Sequence, residues 1–442
     1  MSFEAGGTEA VARIARRAAE RLRAGHLWVY RSDVERIAAG VDGAVGRGAS
    51  MSVPAGALVS VVDGRGIALG TALYSDASEI ALRMVSRRAG VGREEYLAAV
   101  KARMKAAIRL RETLVREAFT GVGVAAEGVK AASGSTAVGA TDACRLVFSE
   151  ADDLPGVVAD RYNGIVVLQL LTQGTAQDDV RRVVVEVLRE QAWVETVVER
   201  ADARVREIER LAPAPEGPLY VREGGGAALK TVFTINGVRF HFDAGAGQKT
   251  GAFLDQRLNY AAAARYSRGR ALDVCTYQGG FALHLAQVCE RVTGVDASRA
   301  ALEVADRNLE MNRGLTARVD WIEADAFDLL RDYSEVGERF DTIVLDPPAF
   351  AKTKRAAEGA MRGYRELNLR AMKMLTAGGT LVTCSCSHHV GMEEFIGVVR
   401  AAAGDAGRRV QVLEMRGASA DHPAMLALPE TSYLKCLVCR VE

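Results

Sequence analysis

Three aspartates stand where an apolar run gives way to a turn: Asp273 in ALDVC, Asp296 closing RVTGVD and Asp325 closing VDWIEAD. The turn after the first runs Cys275-Thr276-Tyr277-Gln278-Gly279-Gly280, and its two glycines let a ligand approach the backbone closely. The G-x-G-x-x-G that seats a pyrophosphate on a helix N-terminus is missing. An acidic group heading such a turn repels phosphate and suits an ammonium. Asp296, 23 positions on, is placed to accept both ribose hydroxyls, and Asp325 to reach an exocyclic adenine amine. A nucleoside that carries an amino acid and no phosphate satisfies all three, and S-adenosylmethionine is that molecule. NAD binding is the competing reading, and for any one aspartate alone an ordinary turn residue after a strand is the plain alternative.

A fourth aspartate has a stiffer setting. Asp346-Pro347-Pro348-Ala349-Phe350 follows FDTIVL, and consecutive prolines remove two backbone donors, which holds Asp346 at the edge of the same pocket. Enzymes that methylate exocyclic amines often place an aromatic directly after the second proline; here Ala349 intervenes, which argues against an amine acceptor. A cytosine C5 carbon is a poor nucleophile, and the usual route is covalent. A thiolate adds at C6 and turns C5 into an enamine carbon that can take a methyl group. Cys386, in Thr383-Cys384-Ser385-Cys386-Ser387 at the end of the next apolar run, is the candidate thiolate, and Asp346 the candidate partner for the base near N3/N4. A thiol of ordinary pKa, ~8.5, is only a few per cent ionised at neutral pH, so it needs activation, for which the donor's sulfonium is one source. Cys384 shares the period-2 face and reads as core. Cys436 and Cys439 fall on opposite faces of YLKCLVCRV with no second pair at zinc spacing, so they also read as core and no metal is expected.

The chain that must position these groups has 442 residues, 49% hydrophobic and 26% charged, enough for two or more domains and too apolar for disorder. No apolar run reaches the ~18–20 residues of a spanning helix, and the first residues show no export signal. A cytoplasmic location, no membrane partner and reduced cysteines are therefore expected. Residues 1–118 carry 19 Lys/Arg against 13 Asp/Glu, whereas 119–442 carry 38 against 43, so basic charge gathers at the front. There KARMKAAIRLRETLVR (101–116) reads as a helix. Its Lys101, Arg103, Lys105 and Arg109 are candidate contacts for a polyanion, with a solvated helix face as the alternative.

Short β-type runs between Gly-rich turns over 1–90 suggest a small barrel, with a hairpin from Leu58–Val62 to Ile67–Leu69 around Asp63-Gly64. Residues 91–143 hold the basic helix and a Gly/Ala/Ser/Thr stretch, 119–143, that reads as a flexible insertion. Residues 144–245 form a small α+β domain with turns at Asn163-Gly164 and Asn236-Gly237. From 246 to 442 the rhythm is strand, helix, strand, helix. That alternation implies a mostly parallel α/β sheet with ligands at the carboxyl ends of its strands. VQVLEMR and YLKCLVCRV are expected to form its antiparallel edge.

In order along the chain, HLWVYRSDV, EADDLPGVVADRYN, KTGAFLDQR, LDVCTYQGGFALHLA, VDASRAALEVADRN, FDTIVLDPPAF, RGYRELNLRAM and SCSHH resemble a known family over nearly the whole length: the bacterial 23S ribosomal RNA cytosine-C5 methyltransferases with an N-terminal PUA domain. The resemblance implies a PUA RNA-binding barrel, a central α+β domain that helps form the RNA cleft, and a Rossmann-like class I methyltransferase domain, often dimeric. It implies S-adenosylmethionine as cofactor and 23S ribosomal RNA as partner, with an unpaired or splayed cytosine as target because C5 and C6 are inaccessible inside a stacked helix. Residue by residue, it puts the nucleophile at Cys386 and the cofactor contacts at Asp273, Cys275, Tyr277, Gly279, Asp296, Ala297, Asp325, Ala326 and Asp346. From the stretch that closes over the pocket it adds Lys249 and Gln256 to those contacts and Arg257 to the RNA contacts. Many RNA cytosine-C5 methyltransferases carry a second cysteine after the Pro-Pro that assists product release; here that position is Ala349, so release must rely on another base or on water. A ribosomal RNA guanine-N7 methyltransferase, which needs no thiol, and a non-catalytic RNA-binding factor that keeps the fold are the alternatives.

Overall fold

The computed structural model describes residues 10–39, 53–116, 140–200, 202–245, 251–350 and 357–442. Lys249 and residues 119–139 of the expected insertion lie outside the described residues. Six strands form the N-terminal sheet, in the order Trp28–Tyr30, Ile80–Ser86, Ala68–Tyr74, Leu58–Val62, Ala10–Ile14, Val34–Ala39. Ala10–Ile14 runs parallel to Leu58–Val62 and the other pairs are antiparallel. Ala12, Ile14, Val59, Val61 and Leu82 fill the core together with Ala18 and Leu22 of the helix Arg16–Arg23. The hairpin after Val62 is not the tight Asp-Gly turn expected. Its loop runs to Ile67, the positive φ falls on Gly66, and the Asp63 carboxylate organises it by accepting the Arg65 and Ile67 amides at 2.9 and 3.0 Å. Asn236 (φ 49°) and Gly237 (φ 83°) do make the two-residue left-handed turn between Lys230–Ile235 and Val238–Asp243.

The middle sheet has the order Pro218–Val221, Thr196–Glu199, Ile165–Leu170, Val157–Tyr162, Ala143–Phe148. Against it lies the basic helix, Arg93–Leu114, which buries Tyr96, Val100, Met104, Ile108 and Arg111 at helical spacing. Several of its basic side chains have partners within the chain. Arg103 donates to the carbonyls of Asp153 (2.9 Å) and Val85 (2.6 Å), Lys105 pairs with Glu190 at 2.6 Å, and Arg111 is fully buried in a bidentate pair with Asp152 at 2.6 and 2.8 Å. Of the four candidate contacts, Lys101, half-buried, and Arg109, exposed, keep the character the sequence suggested.

The C-terminal sheet has the order Arg318–Glu323, Arg291–Asp296, Arg270–Val274, Phe340–Leu345, Leu375–Ser385, Lys435–Val441, Val410–Arg416. The first five strands are parallel, as the alternating rhythm implied. The last two strands pair antiparallel at the end of the sheet, as expected. Lys435–Val441 is antiparallel but sits inside, between Leu375–Ser385 and Val410–Arg416, and the edge strand Val410–Arg416 runs with the parallel set. Helices cover both faces, so these strands read as continuous apolar runs. The chain leaves Arg270–Val274 in one direction and returns at Phe340–Leu345 on its other side, which opens a crevice beyond the carboxyl ends of those two strands. Among the described residues no helix is long and apolar enough to cross a membrane.

Candidate active site

Asp273 sits one residue from the end of its strand and is fully buried. One carboxylate oxygen accepts the Thr276 hydroxyl at 2.5 Å and the Ala282 amide at 2.8 Å; the other is buried with no hydrogen-bond partner among the described residues. One oxygen of Asp273 thus braces the turn and the helix Gly280–Leu285, and the other is left without a partner among the described residues. Burial pushes this carboxyl up to about 7.

The turn itself is strained into shape. Cys275 (φ 65°), Tyr277 (φ 51°) and Gly279 (φ 85°) are all left-handed, costly for the two that carry a Cβ. A Cβ on Gly279 would stand 3.1 Å from Trp321, and one on Gly280 2.6 Å from the Tyr260 hydroxyl. The Tyr277 amide donates to one Asp296 oxygen at 2.8 Å and the Ser298 amide to the other at 2.9 Å, so Asp296 is fixed at the crevice with lone pairs to spare on both oxygens. Ala297, beside it, is exposed.

Asp325 is exposed and caps the helix Ala326–Val336, one oxygen accepting the Phe327 and Asp328 amides at 2.8 and 3.2 Å. Ala326 behind it is half-buried. Next to this cap, Phe327 and Phe350 (ring centroids 5.8 Å apart) line a cavity of about 450 Å³ against the helix Ala357–Met374.

Asp346 follows Leu345, and its carboxylate accepts the Gln256 amide at 3.0 Å. Gln256 is almost fully buried and is steered in turn by Asn259, which donates to it at 2.7 Å. Burial, then the nearby charges of Asp255 and Asp273, push the Asp346 carboxyl up to about 8. Among the described residues, Asp273, Asp296, Asp325 and Asp346 have no ion-pair partner in Lys or Arg. Four carboxylates at one rim without a cation, two of them held partly protonated, make a site short of positive charge.

Cys386 lies just beyond the strand Leu375–Ser385, beside the strand that leads into Asp346 (Leu345 is level with Thr383). It is half-buried, while Cys384 is fully buried in the core opposite Cys436. Ser387 follows, hydrogen-bonded through its hydroxyl to Tyr364 at 2.9 Å and through its carbonyl to the Lys435 ammonium at 2.7 Å. The structure corrects Arg257: it is buried, 3.3 Å from Asp421, and is not available to a surface ligand. The Tyr433 hydroxyl, 2.5 Å from Asp255, and Lys435 were not singled out in the sequence. The available signal was a lysine in an otherwise apolar strand.

A doubly wound sheet with a nucleoside-type acidic rim, preceded by a small β domain, defines a methyl-donor-dependent transferase. Residues 151–422 match the S-adenosylmethionine-dependent methyltransferase family, and residues 12–87 match the PUA-like domain. Ribosomal RNA large subunit methyltransferase I of Shewanella amazonensis is 38% identical over 421 residues, covering 94% of this chain and 95% of that protein; the protein of the same name from Photobacterium profundum is 35% identical over 426 residues, covering 95% and 96%. A SAM-dependent methyltransferase structure from Streptococcus mutans superposes with a TM-score of 0.74 at 16% identity over 97% of this chain and 99% of that one. The chain belongs to the family of these large subunit methyltransferases I and is an S-adenosylmethionine-dependent methyltransferase.

Proposed function

We propose that the protein methylates C5 of an unpaired cytosine in 23S ribosomal RNA, with Cys386 as nucleophile. The carrying observation is the placement of Cys386 and Asp346 at the ends of adjacent parallel strands, over a rim of carboxylates that have no Lys or Arg ion-pair partner among the described residues. The name of the relatives, the PUA-like match and the basic N-terminal quarter support RNA as the substrate. When bound, the cofactor supplies a methyl group on a positively charged sulfonium.

The residues of the chain do the rest. The free oxygen of Asp273 takes the amino group of the donor, Asp296 the ribose hydroxyls, Asp325 the adenine amine, and Phe327 with Phe350 walls the base. The turn residues Cys275, Tyr277 and Gly279 approach the ligand through their backbone, and Ala297 and Ala326 flank it; Lys249, outside the described residues, remains a cofactor contact that only the resemblance implies. Gln256 holds Asp346 where its carboxylate, ionised once the donor is bound, accepts from the cytosine near N3/N4 and keeps a proton there in the adduct. The Cys386 thiolate adds to C6, C5 takes the methyl group, water or another base removes the C5 proton, and the C–S bond breaks to return the thiolate. The four-part division at 90, 143 and 245, a homodimer and a cytoplasmic setting belong to the same proposal.

The test is tritium transfer from labelled donor to 23S ribosomal RNA, followed by mass mapping of the base. Cys386→Ala is expected to abolish transfer while leaving donor affinity within about twofold, because the thiol touches the base and not the cofactor. Undiminished turnover, or 7-methylguanine as product, overturns the covalent route.

A further inference from the structure

A thiol nucleophile needs a source of activation, and the chain holds one on the strand antiparallel to its own. Lys435 opens the strand Lys435–Val441 in register with Ser385, one residue before Cys386. Its side chain is 3% exposed, and its ammonium donates to the carbonyls of Ser387 and Tyr433, each at 2.7 Å. Two of its three protons are thus assigned to neutral acceptors, and among the described residues no carboxylate forms an ion pair with it. A buried ammonium without a counter-ion is costly, and strands do not begin with one for packing reasons. Burial pulls its pKa down to about 8, against the opposing pull of Cys386 first and Glu394 second. Cys386 lies between Ser385, level with Lys435, and Ser387, whose carbonyl holds the ammonium.

We propose that Lys435 is a positioning residue for the nucleophile: anchored to the Ser387 carbonyl, it fixes the Cys386 loop and stabilises Cys386 as the thiolate, the thiol proton leaving to solvent before C6 is attacked. This rests on the reading of Cys386 as nucleophile. Of the other groups that face the loop, neither Tyr364 nor Glu394 supplies the charge. Tyr364, from the helix Ala357–Met374, is held neutral by burial and hydrogen-bonds Ser387. Glu394, at the start of the helix Met392–Ala406, is exposed, accepts the Gly391 amide at 2.7 Å and is of the wrong sign. His388 is exposed and stacks on Tyr433 with ring centroids 5.3 Å apart, while the Tyr433 hydroxyl donates to Asp255.

The test is the rate of Cys386 alkylation by iodoacetamide against pH, read on the Cys386 peptide by mass spectrometry, for the full-length protein without donor or RNA. The wild type is expected to show a midpoint below the ordinary thiol value of about 8.5. Lys435→Gln keeps a donor for the Ser387 carbonyl but removes the charge, and is expected to raise the midpoint by about one to three pH units. Lys435→Arg is expected to stay near the wild type. Methyl transfer by Lys435→Gln at pH 7 should fall about tenfold or more in kcat, with donor Kd unchanged and the deficit narrowing as pH rises. A wild-type midpoint at or above about 8.5, which needs no variant to fold, overturns the inference; so does a Lys435→Gln profile that superimposes on the wild type. Full transfer by Cys386→Ala would instead overturn the nucleophile reading itself, whereas an inactive Cys386→Ala beside an unshifted Lys435→Gln profile would sink only the role of Lys435.

Discussion

Donor affinity should depend steeply on pH, and the dependence should pass through Asp346. Its carboxyl is pushed up to about 8 by burial and by Asp255 and Asp273, with only the Gln256 hydrogen bond pulling down. The ionised form alone attracts a sulfonium or ammonium. At pH 6 about 1% of the molecules carry that charge and at pH 7 about 10%, so the apparent Kd should fall about tenfold between pH 6 and 7 and level off above 8. Asp273, pushed up to about 7, acts in the same direction, and the steps belong to the coupled pair. The sign for stability is the reverse. Between pH 4 and 8 the ligand-free folded chain binds more protons at these sites than the unfolded chain, so stability falls as pH rises through that window and bound donor restores it. Isothermal titration between pH 6 and 7.5, in two buffers of different ionisation heat, measures affinity and protons released together. That range stays below the point where the donor's own amino group, of pKa about 7.7–8.0, loses its charge. Asp346→Asn should remove the steeper part of the dependence and leave the step due to Asp273. A wild-type Kd constant within about twofold across this range, with no proton release, would refute the idea that these carboxylates wait for a cation.

Two other substitutions test how the site is built. Gly294→Ala places a Cβ 2.4 Å from the Trp321 ring and 3.2 Å from Thr276, inside a strand paired on both sides, and should cost about 1–3 kcal/mol in urea unfolding. On the basic helix, Arg111→Leu strips the buried Asp152 of its bidentate partner and should cost about 3–5 kcal/mol, whereas Lys101→Gln with Arg109→Gln should stay within about 0.5 kcal/mol. If those two cations face RNA, the double change should flatten the salt slope of RNA binding by about 1–2, and an unchanged slope removes RNA from that helix.

The parallel strands were legible because both faces of the sheet are covered, so VTGVD or TIVLD carries its burial in its own letters. Asn236-Gly237 was legible because a left-handed pair needs those residue types, whereas Asp63-Gly64 misled: the same letters served a longer loop in which the aspartate acts as a hydrogen-bond acceptor. Arg103 and Arg257 read as contacts for a polyanion because a sequence shows the charge and hides the partner; the Asp153 carbonyl and Asp421 lie 50 and 164 positions away. Lys435 was passed over as one polar letter in an apolar run.

By itself, then, the chain's lettering determined the succession of strands and helices and the residue types that stand at the strand ends, since both depend on local periodicity and turn chemistry. Which of those side chains meet, which lose their water and which keep a charge unmatched was decided by the tertiary structure. Pairing and desolvation depend on distances between segments far apart in the chain, such as Asp346 with Gln256, or Ser387 with Lys435.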